Sequence, residues 1–248
     1  KYDKESVLDV LLKALYEHIK NKAIYAQIRL TTDVSDVFHR LYHLNGFLYE
    51  AHLNIFHYLN KTIEDQWNAI HSGRRKNIRR AIANGLVFKE IACAEELNIS
   101  CNLLYSTYRR IKLPLAHNSL FYTAHEHLQK KEMLKVFVAC YNDQIIATRM
   151  VLLYNGTVYD WYAGADDNHL DKYPNDFMVW KTIEWATNNG FARFDFGGAG
   201  KPGVPYGVRE FKLKFGGDVV EQGRIIRILH KPLYWFGKTI ISFLKKKQ

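Results

Sequence analysis

Phe194-Asp195-Phe196-Gly197-Gly198-Ala199-Gly200-Lys201-Pro202-Gly203 leads, after Val204-Pro205, into Tyr206-Gly207-Val208-Arg209-Glu210-Phe211-Lys212-Leu213-Lys214-Phe215-Gly216-Gly217. An interior glycine costs a regular element roughly 0.5–1 kcal/mol relative to alanine, so this glycine density marks a loop. It separates a short apolar strand, Ala192 to Phe196, from Glu210 to Phe215, where basic and aromatic residues alternate as in a strand. Glycine also lets a polar ligand approach main-chain N–H groups, and Lys201, Arg209 and Lys212 lie close by in sequence. The combination suits an anionic or carbonyl-bearing substrate; spacing alone also fits a hairpin-rich loop with solvated lysines.

Upstream, Leu134 to Tyr141, Gln144 to Tyr154 and Thr157 to Ala163 read as three consecutive strands, with Asn142-Asp143 and Asn155-Gly156 as hairpin turns. Tyr173-Pro174-Asn175-Asp176 opens a helix that Asn188-Asn189-Gly190 stops. Helices are expected over Glu95 to Arg110 and Phe121 to Lys130, and nearer the start over Val7 to Ile19 and Val34 to Leu44. Strands are expected at Ala23 to Leu30, Phe47 to Tyr58 and Val219 to Leu229. Thr62 is placed to cap a helix containing Trp67 and Ile70. A basic helix follows from Arg74 to Asn84 with Gly85 as its stop.

Composition bounds the possibilities. The chain has 248 residues, 48% of them hydrophobic, which is ample for a core and too apolar for disorder. Cys93, Cys101 and Cys140 form no CxxC pair and fit buried thiols in a reducing compartment. No apolar run reaches membrane-spanning length, so no transmembrane helix is expected, nor is a secretory signal. None of the histidines shows HExxH spacing, and His125 and His127 fall on different sides of a helix, so no metal is expected. The net charge of +10 gathers at Arg74-Arg75-Lys76-Asn77-Ile78-Arg79-Arg80 and from Lys231 to Lys247. Such clusters favour anionic partners: nucleic acid, phosphorylated substrates or a membrane surface.

The order of elements resembles the GNAT acyltransferase fold, an α+β architecture with a mixed sheet. Trp67-x-x-Ile70, Arg75-x-Asn77-Ile78-Arg79-x-Ala81 and Gly85-Leu86 resemble the junction in Fem-like (FemABX) aminoacyl/peptidyl transferases, which carry tandem GNAT-like domains. Asp195-Phe196-Gly197-Gly198 and Gly207-x-x-x-Phe211-Lys212-x-x-Phe215-Gly216-Gly217 resemble the second domain's signature. The resemblance implies a partial first GNAT-like domain over 1–88, a second over 89–230 and a basic aromatic tail over 231–248. About a hundred residues would be expected before Lys1.

The same resemblance implies transfer of an aminoacyl or acyl group to an amine of a cell-envelope precursor, such as a peptidoglycan peptide. No resident cofactor is implied; aminoacyl-tRNA is the donor, with acyl-CoA as an alternative. The family's required Phe-Lys pair falls on Phe211-Lys212, and an ammonium there can stabilise a tetrahedral oxyanion. Asp195 and Asp160 are candidate general bases. Arg75, Arg79, Lys201 and Arg209, with the backbone of Gly197 and Gly198, are candidate substrate contacts; Arg75 and Arg79 form a like-charge i, i+4 pair that an anion would relieve. The stretch His169 to Asp176 lacks the glycine turn with which CoA-dependent GNAT domains hold pyrophosphate, and Pro174 has no N–H to offer. The tail suits a membrane interface or a helix packed on the domain, so a cytoplasmic protein at the inner membrane face is expected. Two other functions remain open: an N-acyltransferase acting on a nucleotide- or lipid-linked sugar, and a non-catalytic RNA- or membrane-binding module.

Overall fold

A computed structural model of the chain describes residues 3–30 and 36–246, with backbone only for 241–246. It divides into two compact units. The smaller comprises residues 1–53, 200–204 and 221–248; the larger comprises 54–199 and 205–220.

In the smaller unit, β1 (Tyr25–Arg29) and β2 (Leu48–Glu50) flank β10 (Arg224–Ile228), both antiparallel to it. Strand side chains alternate between faces. Ala26, Ile28 and Ile225 therefore meet Leu8, Leu12 and Leu15 of α1 (Lys4–Ile19), together with Phe47 and Tyr42 of α2 (Asp36–Leu44) and its exit. Asp3 caps α1 by accepting from the N–H groups of Glu5 and Ser6. The opposite face carries Tyr25 and Ile226, which share a cavity of about 270 Å³ with Leu233 and Tyr234 of α9 (Lys231–Lys246). Positions 34 and 35 of the expected second helix, and 247 and 248 of the expected tail, lie outside the described residues.

The larger unit is built on a seven-stranded sheet in the order β4-β5-β6-β7-β8-β3-β9. Its strands are β3 (Leu53–Tyr58), β4 (Val87–Glu90), β5 (Leu134–Tyr141), β6 (Gln144–Tyr154), β7 (Thr157–Ala165), β8 (Arg193–Gly198) and β9 (Asp218–Glu221). The meander β5-β6-β7 follows the expected boundaries almost residue for residue. Asn142, Asp143, Asn155 and Gly156 all have positive φ, the conformation two-residue hairpin turns require. On β5, Leu134, Val136, Val138 and Cys140 join Leu97, Cys101 and Leu104 of α5 (Ala94–Arg110) and Phe121 of α6 (Asn118–Leu128) in one core. Phe137, on the other face of the strand, meets Trp185 of α7 (Pro174–Asn188) at 4.8 Å. Helices thus cover both faces of the central strands. Thr62 caps α3 (Ile63–Ala69) by accepting from Asp65 N–H, and the basic helix α4 (Ser72–Ala83) ends at Gly85.

Four expectations are corrected. Cys93 is exposed, whereas Cys101 and Cys140 are the buried thiols expected. Phe47 to Tyr58 is not one strand but β2 and β3, which belong to different sheets. Val219 to Leu229 likewise splits into β9 and β10 around Gln222-Gly223. Position 223 accepts only glycine, because a Cβ there would lie 2.0 and 2.2 Å from two Tyr49 ring carbons and 2.4 Å from its hydroxyl oxygen. Glu210 to Phe215 is not a strand: Gly207–Leu213 forms the helix α8. β8 is already paired by β7 on one side and β3 on the other, so no ladder is open beside it. The residues Phe211 and Phe215, read as a period of two, also stand at i and i+4, and across the end of α8 their rings meet at 5.2 Å, tilted by 58°.

Candidate active site

The site lies where β7 and β8 part. These neighbours run parallel, yet their register holds only from Thr157/Arg193 to Tyr159/Asp195, while β7 continues to Ala165 and β8 to Gly198. Past the last pair, backbone groups of β8 need other partners, and Lys212 of α8 supplies one. Its ammonium donates to the carbonyl oxygens of Phe196 at 2.6 Å and Gly198 at 2.9 Å. An ammonium has three N–H bonds, so one is left with no protein acceptor among the described residues.

Charge is concentrated around this lysine. Burial lowers the Lys212 pKa from its ordinary value, partly opposed by the nearby carboxylates of Asp160 and Asp195, while Arg149 lowers it further. Burial raises the Asp195 pKa, countered by the Gly197 N–H, which donates to Oδ1 at 2.7 Å, and then by Arg193 and Lys212. Gly197 holds φ at +71°, which brings its N–H onto that carboxylate. Asp160 on β7 accepts from Arg149 Nη1 of β6 at 2.6 Å in a pair largely removed from water. The Nε–H of Arg149 is buried and unpartnered among the described residues. Tyr108 of α5, whose hydroxyl pKa burial pushes up to about 12, feels the charges of both Asp160 and Arg149. It also lines a cavity of about 440 Å³ with Tyr105, Arg109, Leu115 and His117.

Several contacts fix α8. Phe211 lies between Phe215 and the guanidinium of Arg74, whose carbon sits 4.7 Å from its ring centre. Arg74 also reaches the buried carboxylate of Asp176 on α7 at 2.8 and 3.1 Å, and Asn77 joins it at 2.7 Å. At the other end of α8, the Lys214 carbonyl accepts from His71 N–H at 2.9 Å and the Gly216 carbonyl contacts the His57 ring. His57 meets Gln66 Oε1 at 3.0 Å through Nε2, and burial lowers its pKa.

Lys212, Asp195, Asp160, Gly197 and Gly198 therefore come together, and Arg209 binds the Ala199 carbonyl beyond β8 at 2.7 Å. Arg75 instead donates to Asn68, and Arg79 lies over Trp67. Lys201 belongs to the smaller unit, where it pairs with Glu50. Phe211 supports the helix that carries Lys212 rather than reaching the charged cluster through any polar contact of its own. Sequence reasoning missed Arg74, Asn77, Asp176, Arg149, Tyr108 and His57. The signal for the first two was present: Ile78 and Ala81 are the buried residues of α4, and Arg74 and Asn77 precede them on that same face.

The N-terminus of α7, following the left-handed Tyr173, is occupied from within the protein. Pro174 offers no N–H there, and Asp176 places a carboxylate in the first turn, held by Arg74 and Asn77.

Comparisons with known proteins bear on the fold. The fold matches that of the crystal structure of FemX with a TM-score of 0.75, at 16% identity over 95% of this chain and 80% of that one. It matches L-PGS from Bacillus licheniformis with a TM-score of 0.65, at 17% identity over 90% of this chain and 74% of that one. A lipid II:glycine glycyltransferase of Staphylococcus haemolyticus is 25% identical over 125 residues, 48% of this chain and 30% of the relative, so the match spans less than a third of that protein's length. The acetyltransferase (GNAT) domain profile matches residues 72–212, which include α4, the meander, α7, β8 and Lys212. With more than half its length inside that match and the FemX fold around it, the chain belongs to the acetyltransferase (GNAT) domain family of acyltransferases.

Proposed function

We propose that this protein is a Fem-like aminoacyltransferase. It joins an aminoacyl group to an amine of an anionic cell-envelope precursor, a peptidoglycan peptide being the leading acceptor. The observation that carries the reading is the half-buried Lys212 ammonium, held on two β8 carbonyls where β7 and β8 part, with one N–H to spare. In the transfer, the acceptor nitrogen bonds to the donor's ester carbonyl and negative charge develops on that carbonyl oxygen. The spare N–H of Lys212 stabilises the charge in a site where burial strengthens electrostatic interactions. The carbon–oxygen bond to the donor then breaks, and the proton lost by the amine ends on the leaving hydroxyl. Asp195 is the base within this reading, because its raised pKa brings it closer to the working range of a proton acceptor. Asp160 holds Arg149 beside it.

Aminoacyl-tRNA is favoured over acyl-CoA as donor by the α7 N-terminus. A CoA pyrophosphate needs free N–H groups and a positive helix end, and here Pro174 and the Asp176 carboxylate occupy that position. The exposed face of α4, with Lys76, Arg79 and Arg80, suits a nucleic-acid backbone. Action at the inner membrane face and a tandem-domain organisation, with residues 1–88 closing a first GNAT-like domain, belong to the same proposal.

The test is a donor comparison. The protein is mixed with a precursor extract and either labelled aminoacyl-tRNA or labelled acyl-CoA, and amide product is counted. The proposal expects label only from aminoacyl-tRNA; label only from acyl-CoA, or from neither donor, overturns it.

A further inference from the structure

The helix α9 leaves an apolar stripe exposed, although Leu233 at its start also lines the cavity over the sheet. Tyr234 and Gly237 face the sheet β1-β10-β2, Tyr234 meeting Tyr25 at 5.5 Å, and both are half-buried. Leu233, Phe236 and Ile240 follow the 3 and 4 spacing of one helical face, and they are 48%, 67% and 43% exposed. Packing on its own unit would ordinarily bury that stripe and leave the polar side to water. Trp235 is 54% exposed, and the Lys238 ammonium lies 4.9 Å from its ring. Lys231 and Lys238 are exposed at the helix surface, and residues 231–248 contain five lysines and no Asp or Glu.

We infer that α9 is a monolayer anchor that lies flat on an anionic lipid surface, with Leu233, Phe236 and Ile240 inserted among the acyl chains and its lysines among the headgroups. Charge selects this occupant. A second copy would only add charge of the same sign to a helix whose polar side is basic, whereas anionic headgroups neutralise it. The exposed Trp235 suits the headgroup boundary, where rings with one polar end are enriched. Among the described residues no helix is long and apolar enough to cross a membrane. This inference does not depend on the transfer chemistry.

Co-sedimentation of the full chain with sucrose-loaded vesicles tests it. Vesicles of phosphatidylcholine containing phosphatidylglycerol should retain the protein, with weaker retention at high salt and on phosphatidylcholine alone. Phe236→Glu should cut partitioning about tenfold or more, with an unchanged near-ultraviolet circular dichroism spectrum because Phe236 already faces solvent. The double variant Lys231→Gln/Lys238→Gln should lose about fivefold per lysine on anionic vesicles, and little on neutral ones. Trp235 emission should shift to the blue on binding, a change lost in Trp235→Phe. Absence of vesicle binding overturns the inference. So does a Phe236→Glu variant that binds normally, or one that instead converts a dimer into a monomer in light scattering, which would make a second copy the occupant.

Discussion

Replacing Arg74 by alanine should destabilise the larger unit far more than replacing its neighbour Arg75. Arg74 makes two hydrogen bonds to Asp176, a carboxylate only 3% exposed, and also covers Phe211. Removing one member of a buried ion pair costs about 3–5 kcal/mol, because the other charge stays behind without compensation. Asn77 still donates to Asp176, and Arg74 is itself partly exposed, so the lower part of that range applies. Loss of the contact with the Phe211 ring adds about 0.5–1 kcal/mol. A total near 4 kcal/mol corresponds to a fall in Tm of about 8–16 °C for a domain of this size. Arg75 donates only to Asn68 at the surface, and its loss should stay within about 0.5 kcal/mol. Thermal and urea unfolding of both variants provides the assay. Adding Asp176→Asn to Arg74→Ala removes the stranded charge and should restore part of the loss. Equal effects at positions 74 and 75, or a double variant no better than Arg74→Ala, would refute the assignment of Arg74 as the partner of a buried carboxylate.

Asp195→Asn keeps an oxygen for the Gly197 N–H and removes the buried charge. Because burial raises the Asp195 pKa, the wild-type fold loses stability as pH rises above the ordinary value of 3.8 through the folded value. The variant should therefore be the more stable at neutral pH, with the gain vanishing below pH 3.8; a gain that persists in acid would contradict the burial argument. Removing the Asp195 charge should also lower the Lys212 pKa further, read by nitrogen-15 NMR of the lysine side chain. In the smaller unit, Gly223→Ala would press a methyl group into the Tyr49 ring and should cost about 1–3 kcal/mol, whereas the double variant Gly223→Ala/Tyr49→Ala should recover much of it.

Much of the architecture is legible in the chain because its strongest local signals are unambiguous. Asn142-Asp143 and Asn155-Gly156 accept positive φ at low cost, so the strands around them have fixed ends. The helix Pro174–Asn188 is bounded by Pro174 at its first turn and Gly190 beyond its end. Elsewhere local pattern is degenerate. Phe211 and Phe215 satisfy both a strand and a helix, and the choice rests on a sheet whose neighbouring positions are already filled. Arg74 and Arg75 carry the same charge; only the burial of Ile78 and Ala81 decides which of them turns inward. In the candidate site, Asp195 and Lys212 come from two neighbouring glycine-rich segments, Asp195-Phe196-Gly197-Gly198 and Gly207 to Gly217, whose composition marks them in the sequence. Arg149 and Tyr108 come from distant strand and helix positions with no signal until the sheet brings them beside Asp160.

The account turns on the charged nitrogen of Lys212, and the most direct measurement is the single-turnover rate of aminoacyl transfer by Lys212→Ala at saturating donor and acceptor. An interaction formed only in the transition state should, when removed, lower kcat by about 10²–10³ with little change in KM. The wild-type rate should fall as pH rises through a lysine pKa below the ordinary 10.5, and that limb should vanish in the variant. A Lys212→Ala protein that transfers the aminoacyl group at the wild-type rate would contradict the account.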